Sequence, residues 1–309
     1  MGNYYSFLLS PFIYFICLNI QLKNAKKIIS IFLKFFALVL CIEIIFKAIE
    51  LVYKVGVISA ASYKLMFRLN IGNSNALGFY LLLLFFIIYV NPRKWIDKIL
   101  LVLIVIAIIT IQSRTTLLIF ILCLTLFNLK IKHIKKTAVV LILCIIVINI
   151  FFNINPNFKE RLLFGILPGK QNVSLNEISS GRIYIYKEII KKITEHPIFG
   201  VGLGNIGFKT LEGGKLQIIR SHNIFLDLLG MGGVIGFLLY LSLIVYLIKW
   251  LKFHGKKDNF IRGTYQGYIA ILMQGMLEPN IFSYTQGALL WTIIGVCFII
   301  SKSNRFAKD

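Results

Sequence analysis

Acidic residues are scarce in this chain: 12 Asp and Glu stand against 34 Lys and Arg in 309 residues, a formal net charge of +22. The carboxylates, among them Asp97, Asp258 and Glu278, form no cluster, and there is no DxD, no HExxH and no Cys/His set. Catalysis by a bound divalent metal needs such donors at fixed spacing, so neither a metal nor another cofactor is expected. Cysteine offers no chemistry either. Cys17, Cys41, Cys123, Cys144 and Cys297 lie inside apolar runs without a CxxC pair. They read as small buried apolar residues, outside any disulfide or metal site. The N-terminus lacks both a basic n-region and a small-residue cleavage site, so the first apolar run reads as a retained span.

What the chain has in excess is apolar length. Hydrophobic residues make up 58% and the mean hydropathy is +0.82, well above soluble domains at roughly 45–50% apolar. The expected fold is all-α, a polytopic transmembrane helix bundle with one long extracytoplasmic loop containing an amphipathic helix. Crossing the bilayer takes roughly 20 apolar residues, and on that measure there are about nine spans. They fall near 4–22, 28–48, 75–90, 97–112, 115–129, 138–152, 224–248, 261–278 and 284–300. This divides the chain into an N-terminal bundle (1–152), the loop (153–223) and C-terminal helices with a basic tail (224–309).

The basic residues decide orientation and exclude another class. Lys23/Lys26/Lys27, Arg93/Lys94/Lys98, Lys130 to Lys136, Lys249 to Arg262 and Lys302 to Lys308 occupy short connections that share one side if the spans alternate. That side is the cytoplasm by the positive-inside rule, which also accounts for the net charge without nucleic acid. The C-terminus is then cytoplasmic and the long loop outside.

One apolar stretch is broken by polar residues. Ile99 to Leu129 is too long for one span and is interrupted by Gln112-Ser113-Arg114-Thr115-Thr116, read as a tight turn at the outer face. The competing reading, one long tilted helix with a snorkelling arginine, would put Arg114 near the membrane centre at a cost of several kcal/mol.

The loop holds the remaining candidates. Ser179 or Ser180 can cap a helix starting near Gly181 and stopping before Pro197. Ile183, Tyr186, Ile190 and Ile193 form its apolar face, and Lys187, Glu188, Lys191, Lys192 and Glu195 fall largely opposite. Arg182 opposes the helix dipole in the first turn, a penalty that an anionic ligand would reverse. The match of residues 202–207 to GxGxxG is not a dinucleotide site, because it follows a helix and a proline instead of a strand. Gly200, Gly202 and Gly204 read instead as loop-shaping residues. His222 lies at the start of an apolar span, near the expected depth of Arg114, where an imidazole can serve as general base. Arg220 and Asn223 flank it, and Gly230, Gly232, Gly233 and Gly236 permit close packing of that span.

These residues resemble the O-antigen ligase/polymerase superfamily of bacterial membrane glycosyltransferases. The likeness rests on Gly181-Arg182 with an aromatic four residues on, on residues 196–204 (HPIFGVGLG), and on Ser221-His222-Asn223 through Gly236. Ser113-Arg114 at a span turn and Gly72-Asn73-Ser74-Asn75 before another span also fit. Tyr186 stands where members often have Trp, Ile206 where an aromatic is common, and members usually have more N-terminal spans. The resemblance implies a metal-independent transfer at the bacterial plasma membrane from glycan on undecaprenyl pyrophosphate to an acceptor glycan. Carried over, Arg114 and Arg182, with Arg220 less fixed, bind pyrophosphate, and His222 is the base or orients the acceptor. The expected activity is that of a cell-surface polysaccharide polymerase, with a chain-length regulator or other export proteins as further partners. A ligase moving finished glycan to lipid A-core, protein or wall is one alternative, and a lipid-linked oligosaccharide transporter is the other.

Overall fold

The computed structural model describes residues 25–55, 67–92, 94–128, 138–149 apart from 143 and 147, 181–203, 206–212, 215–219 and 221–306. The expected span 4–22, most of the loop before Gly181, and the candidates Gly204 and Arg220 lie outside the described residues. In chain order the elements are α1 (Ala25–Val55), β1 (Arg68–Leu69), β2 (Gly72–Asn73), α2 (Ser74–Tyr89), α3 (Trp95–Thr110), α4 (Arg114–Phe127), α5 (Arg182–Glu195), β3 (Phe208–Glu212) and β4 (Lys215–Ile219). Then come α6 (Ile224–His254), α7 (Asn259–Gly275), a 3₁₀ turn (Asn280–Phe282) and α8 (Tyr284–Phe306). The described residues are mostly helical, and the strands among them form two small antiparallel hairpins. Among the described residues, three helical stretches are long and apolar enough to cross a membrane: Lys26–Leu51, Ile224–His254 and Thr285–Lys302. Ser74–Tyr89 and Arg114–Phe127 are shorter apolar helices.

Helix α2 is apolar all round and is accordingly buried along nearly its whole length. Its main partner is α7, and glycine sets their separation: a Cβ at Gly263 would fall 2.7 Å from the Ile87 Cα, and one at Gly267 2.8 Å from the Leu83 Cδ1. These two glycines are a GxxxG pair, the spacing that lets helices approach backbone to backbone. α1 buries Leu33, Ala37, Leu40, Cys41 and Ile44 while Phe32, Phe35, Phe46 and Ile49 remain exposed. An exposed apolar face of that length is what lipid covers. The four described cysteines, Cys41, Cys123, Cys144 and Cys297, are buried and free.

Polar contacts gather at the two ends of this bundle. At one end Lys26 pairs with Asp258, and Lys34 lies 2.6 Å from the buried Asp97. At the other, the Ser113 hydroxyl donates to the Asn75 side chain (2.7 Å), while the Asn75 carbonyl accepts from Gln274 (2.9 Å) and Asn280 (3.1 Å). Gln274, fully buried, also donates to Thr116 Oγ1 at 3.1 Å. Unpaired amides in such a place would each cost about 1–3 kcal/mol, so this network fixes the starts of α2 and α4 against the end of α7.

Three expectations are corrected. Residues 208–212 and 215–219, within the expected loop, pair as two antiparallel strands whose register joins Phe208 to Ile219 and Glu212 to Lys215. The two residues between the strands in sequence are Gly213-Gly214, a hairpin signal. The span at 224–248 is longer and is interrupted: at Gly233 the backbone turns to φ 59, ψ −164. The last expected boundary of the seventh helix moves inward, since α7 ends at Gly275 and leaves Glu278 in the connection to α8.

Candidate active site at one end of the bundle

Arg114 opens α4 directly after a tight turn. Ser113 caps the helix by accepting from the Thr116 N–H, and Gln112 before it takes φ 51, a left-handed conformation uncommon outside glycine. The polar interruption is therefore a turn between two helices, and the single tilted helix is ruled out.

Arg182 opens α5, whose N-cap is Gly181 at φ 79 with no side chain to cap it. Ser179 and Ser180, expected as caps, precede the described helix. The buried face of α5 also differs from the expected one. Ile185, Ile189 and Ile193 are buried against Ile206, Leu226, Leu229 and Met231, whereas Ile183 and Ile190 are exposed. Apolar residues cover more than half of this helix's circumference, so periodicity alone leaves its rotation open and the contact with α6 sets it. That rotation matters for chemistry. Arg182 precedes Ile185, Ile189 and Ile193 by three, seven and eleven residues, so it shares their face and is turned inward.

His222 sits in a tight turn ahead of α6 at φ 54. The Ser221 hydroxyl bonds Asp227 Oδ1 (2.5 Å) and accepts from the Asn223 N–H (2.9 Å), and the Asn223 side chain caps α6 by accepting from the Phe225 and Leu226 N–H groups. Asn223 Nδ2 also donates to the Met276 carbonyl at 2.9 Å, which ties the turn to the segment carrying Glu278. A left-handed non-glycine residue held by this many bonds is stored strain of the kind found at functional sites.

The residue that joins these pieces is Glu278. Its Oε1 accepts from Arg182 Nη2 at 2.9 Å and its Oε2 lies 3.2 Å from His222 Nδ1. Arg182 in turn is within electrostatic reach of Arg114. The structure thus brings Arg182 and His222 to one carboxylate with Arg114 nearby. Burial by itself raises the Glu278 pKa, but the hydrogen bond and charge of His222, then those of Arg182, outweigh it and hold the carboxyl below its ordinary value. A depressed folded-state pKa contributes stability above the ordinary carboxylate range and loses it as the pH falls through the folded value. The gap in Tm between wild type and Glu278→Gln in detergent should therefore be widest near neutrality and close below about pH 4. A gap that is constant with pH would count against this ionised clamp.

Glu278 was not among the residues singled out from sequence. A signal was present, since it is a lone carboxylate at the end of an apolar span, a position where ionisable groups are costly without a partner.

The loop-shaping glycines serve the break in α6. Val201 and Gly202 donate to the Gly230 and Met231 carbonyls at 2.8 and 3.0 Å, and the Val234 N–H donates to the Pro197 carbonyl at 2.9 Å. Residues 197–202 therefore satisfy the backbone groups that the break at Gly233 exposes. Gly200 and Gly233 permit the approach: a Cβ on Gly233 would lie 2.2 Å from the Ile198 carbonyl oxygen, and one on Gly200 2.5 Å from that of Gly230. Among the described residues no three His, Cys, Asp or Glu side chains are placed to hold a metal ion together.

Residues 99–241 match the family model described as O-antigen ligase, so this stretch of the chain is similar to that family. That similarity and the apolar helices together indicate a membrane protein. No curated protein and no solved structure matches the chain.

Proposed function

We propose that this protein is a cell-surface polysaccharide polymerase of the bacterial plasma membrane, with about nine spans, the site facing outward and the C-terminus in the cytoplasm. It transfers glycan from undecaprenyl pyrophosphate to a hydroxyl of another lipid-linked repeat unit. The observation that carries this reading is the meeting of Arg182 and His222 at Glu278, with Arg114 in electrostatic reach of Arg182. Two guanidinium groups are suited to the pyrophosphate, and the uncapped start of α5 adds backbone N–H donors beside Arg182.

In the transfer, the acceptor oxygen attacks the anomeric carbon of the donor sugar and forms the new glycosidic bond. The bond from that carbon to the pyrophosphate oxygen breaks, and its electron pair leaves with the lipid pyrophosphate. Arg114 and Arg182 stabilise the charge that develops there. The acceptor proton passes to His222. An ionised Glu278 only accepts hydrogen bonds, so Nδ1 of His222 carries a proton and Nε2 of the neutral ring is the basic nitrogen.

Purified protein in liposomes, given the undecaprenyl-pyrophosphate repeat unit of the source bacterium, should produce a ladder of lengthening glycans on a gel. Transfer only to a separately added acceptor would replace the polymerase with a ligase. Neither product, with lipid-linked sugar crossing the bilayer, would mean a transporter.

A further inference from the structure

We propose that Glu278 is a positioning residue shared by the two halves of the reaction: it occupies Arg182 until the donor pyrophosphate displaces it, and it orients His222 for the acceptor. The proposal rests on the assignment of Arg182 to the donor and His222 to the acceptor. One carboxylate meets two cationic partners through separate oxygens, Oε1 to Arg182 at 2.9 Å and Oε2 to His222 at 3.2 Å. Glu278 is itself largely sequestered, with its side chain 12% exposed, so few water molecules compete for these contacts. Its backbone is equally fixed: the Glu278 N–H donates to the Gln274 carbonyl at 2.8 Å, and the Asn280 N–H donates to the Glu278 carbonyl at 2.8 Å. Gln274 and Asn280 belong to the Asn75 network that also seats the start of α4, so the carboxylate is anchored to the same frame as Arg114.

Two opposite consequences follow from this one group. Toward the donor, Glu278 is a competitor, because a pyrophosphate can engage the Arg182 fork only by displacing Oε1. Toward the acceptor it is an aid, because the bond from Nδ1 sets the tautomer and ring orientation that present Nε2. Donor arrival then leaves the carboxylate with His222 as its remaining partner, which links occupancy of the donor site to readiness of the base.

The decisive variant is Glu278→Gln, with inorganic pyrophosphate as the binding probe and the liposome ladder as the activity assay. Pyrophosphate should bind the variant at least about threefold more tightly than wild type, while kcat falls by about 10–100-fold, the range for removing a partner that orients a histidine ligand. A residue needed only for folding would weaken both. Loss of both, or no change in either, overturns the proposal. In an Arg182→Ala background the tightening should vanish, and its persistence there would show a general charge effect and overturn the displacement of Oε1. Should Glu278→Gln fail to fold, Glu278→Asp is read in its place. It keeps the charge but is one methylene too short to span both partners, so tighter pyrophosphate binding or a lower kcat is expected, and the absence of both overturns the proposal. Binding of the probe does not depend on turnover. An inactive wild type that still binds pyrophosphate more tightly as Glu278→Gln would thus sink the polymerase assignment while leaving the competition at Arg182 intact.

Discussion

Replacing His222 with Ala should lower glycan transfer by about 10²–10⁴-fold, the usual contribution of a positioned general base. The protein should stay folded. His222 is partly exposed, and its side chain contributes one 3.2 Å contact to Glu278. Its left-handed backbone is held by Ser221 and Asn223 and by the α6 cap, all of which the substitution leaves in place. The stability change is expected at about 1.5–3 kcal/mol, the usual net worth of one hydrogen bond to a charged group. Arg182→Ala should cost about 10²–10³-fold in turnover, as the loss of one donor to a developing oxyanion does. Arg182→Lys should not restore it fully, since an ammonium cannot reproduce the planar fork. Ladder assays on both variants, with thermal melts as the folding control, separate these outcomes. A His222→Ala protein with transfer within threefold of wild type would remove His222 from the chemistry.

The largest effect on stability is expected at Gly233→Ala. Two costs add at this position. The backbone at φ 59, ψ −164 lies in a region open essentially to glycine alone, and holding another residue there costs about 1–3 kcal/mol. The new Cβ would also lie 2.2 Å from the Ile198 carbonyl oxygen, and such overpacking costs about 1–3 kcal/mol. Relief would require residues 197–202 to withdraw, and the bonds to Gly230, Met231 and Pro197 would then be lost. A total of about 2–6 kcal/mol is expected, seen as a lowered Tm in detergent or as failure to accumulate. Gly236→Ala is the contrasting case. It is helical with nothing within 4 Å of its Cβ position, so it should be neutral or stabilising by up to about 1 kcal/mol. Equal effects of the two substitutions would contradict the assigned role of the break.

Much of the helical plan was legible in the chain itself. The long apolar runs gave the helices now seen at α1, α2, α3, α4, α6, α7 and α8. The turn before Arg114 was legible because an arginine is costly in the middle of an apolar helix, and Ser113 is a suitable cap for the helix that follows. The Gly213-Gly214 hairpin signal and the glycine pair at 263 and 267 were equally legible and were passed over. The break in α6 was of another kind. Four glycines between 230 and 236 mark the region, but only contact with the 197–202 segment distinguishes Gly233, which cannot change, from Gly236, which can.

What the sequence by itself determined is therefore local: which stretches are helices, where the turn before Arg114 falls, and which cations and histidine lie near helix ends. Apolar periodicity, capping and turn chemistry act over a few residues, so they can be read without a partner in view. The rotation of α5 and the placing of Glu278 were decided only by tertiary structure. Glu278 lies 96 residues from Arg182 and 56 from His222, and its pairing with them depends on α5 packing against α6 and on Asn223 holding the turn to Met276. A carboxylate in a crowded, poorly hydrated place takes the cations that packing delivers to it, and no pattern within its own neighbourhood specifies which they are.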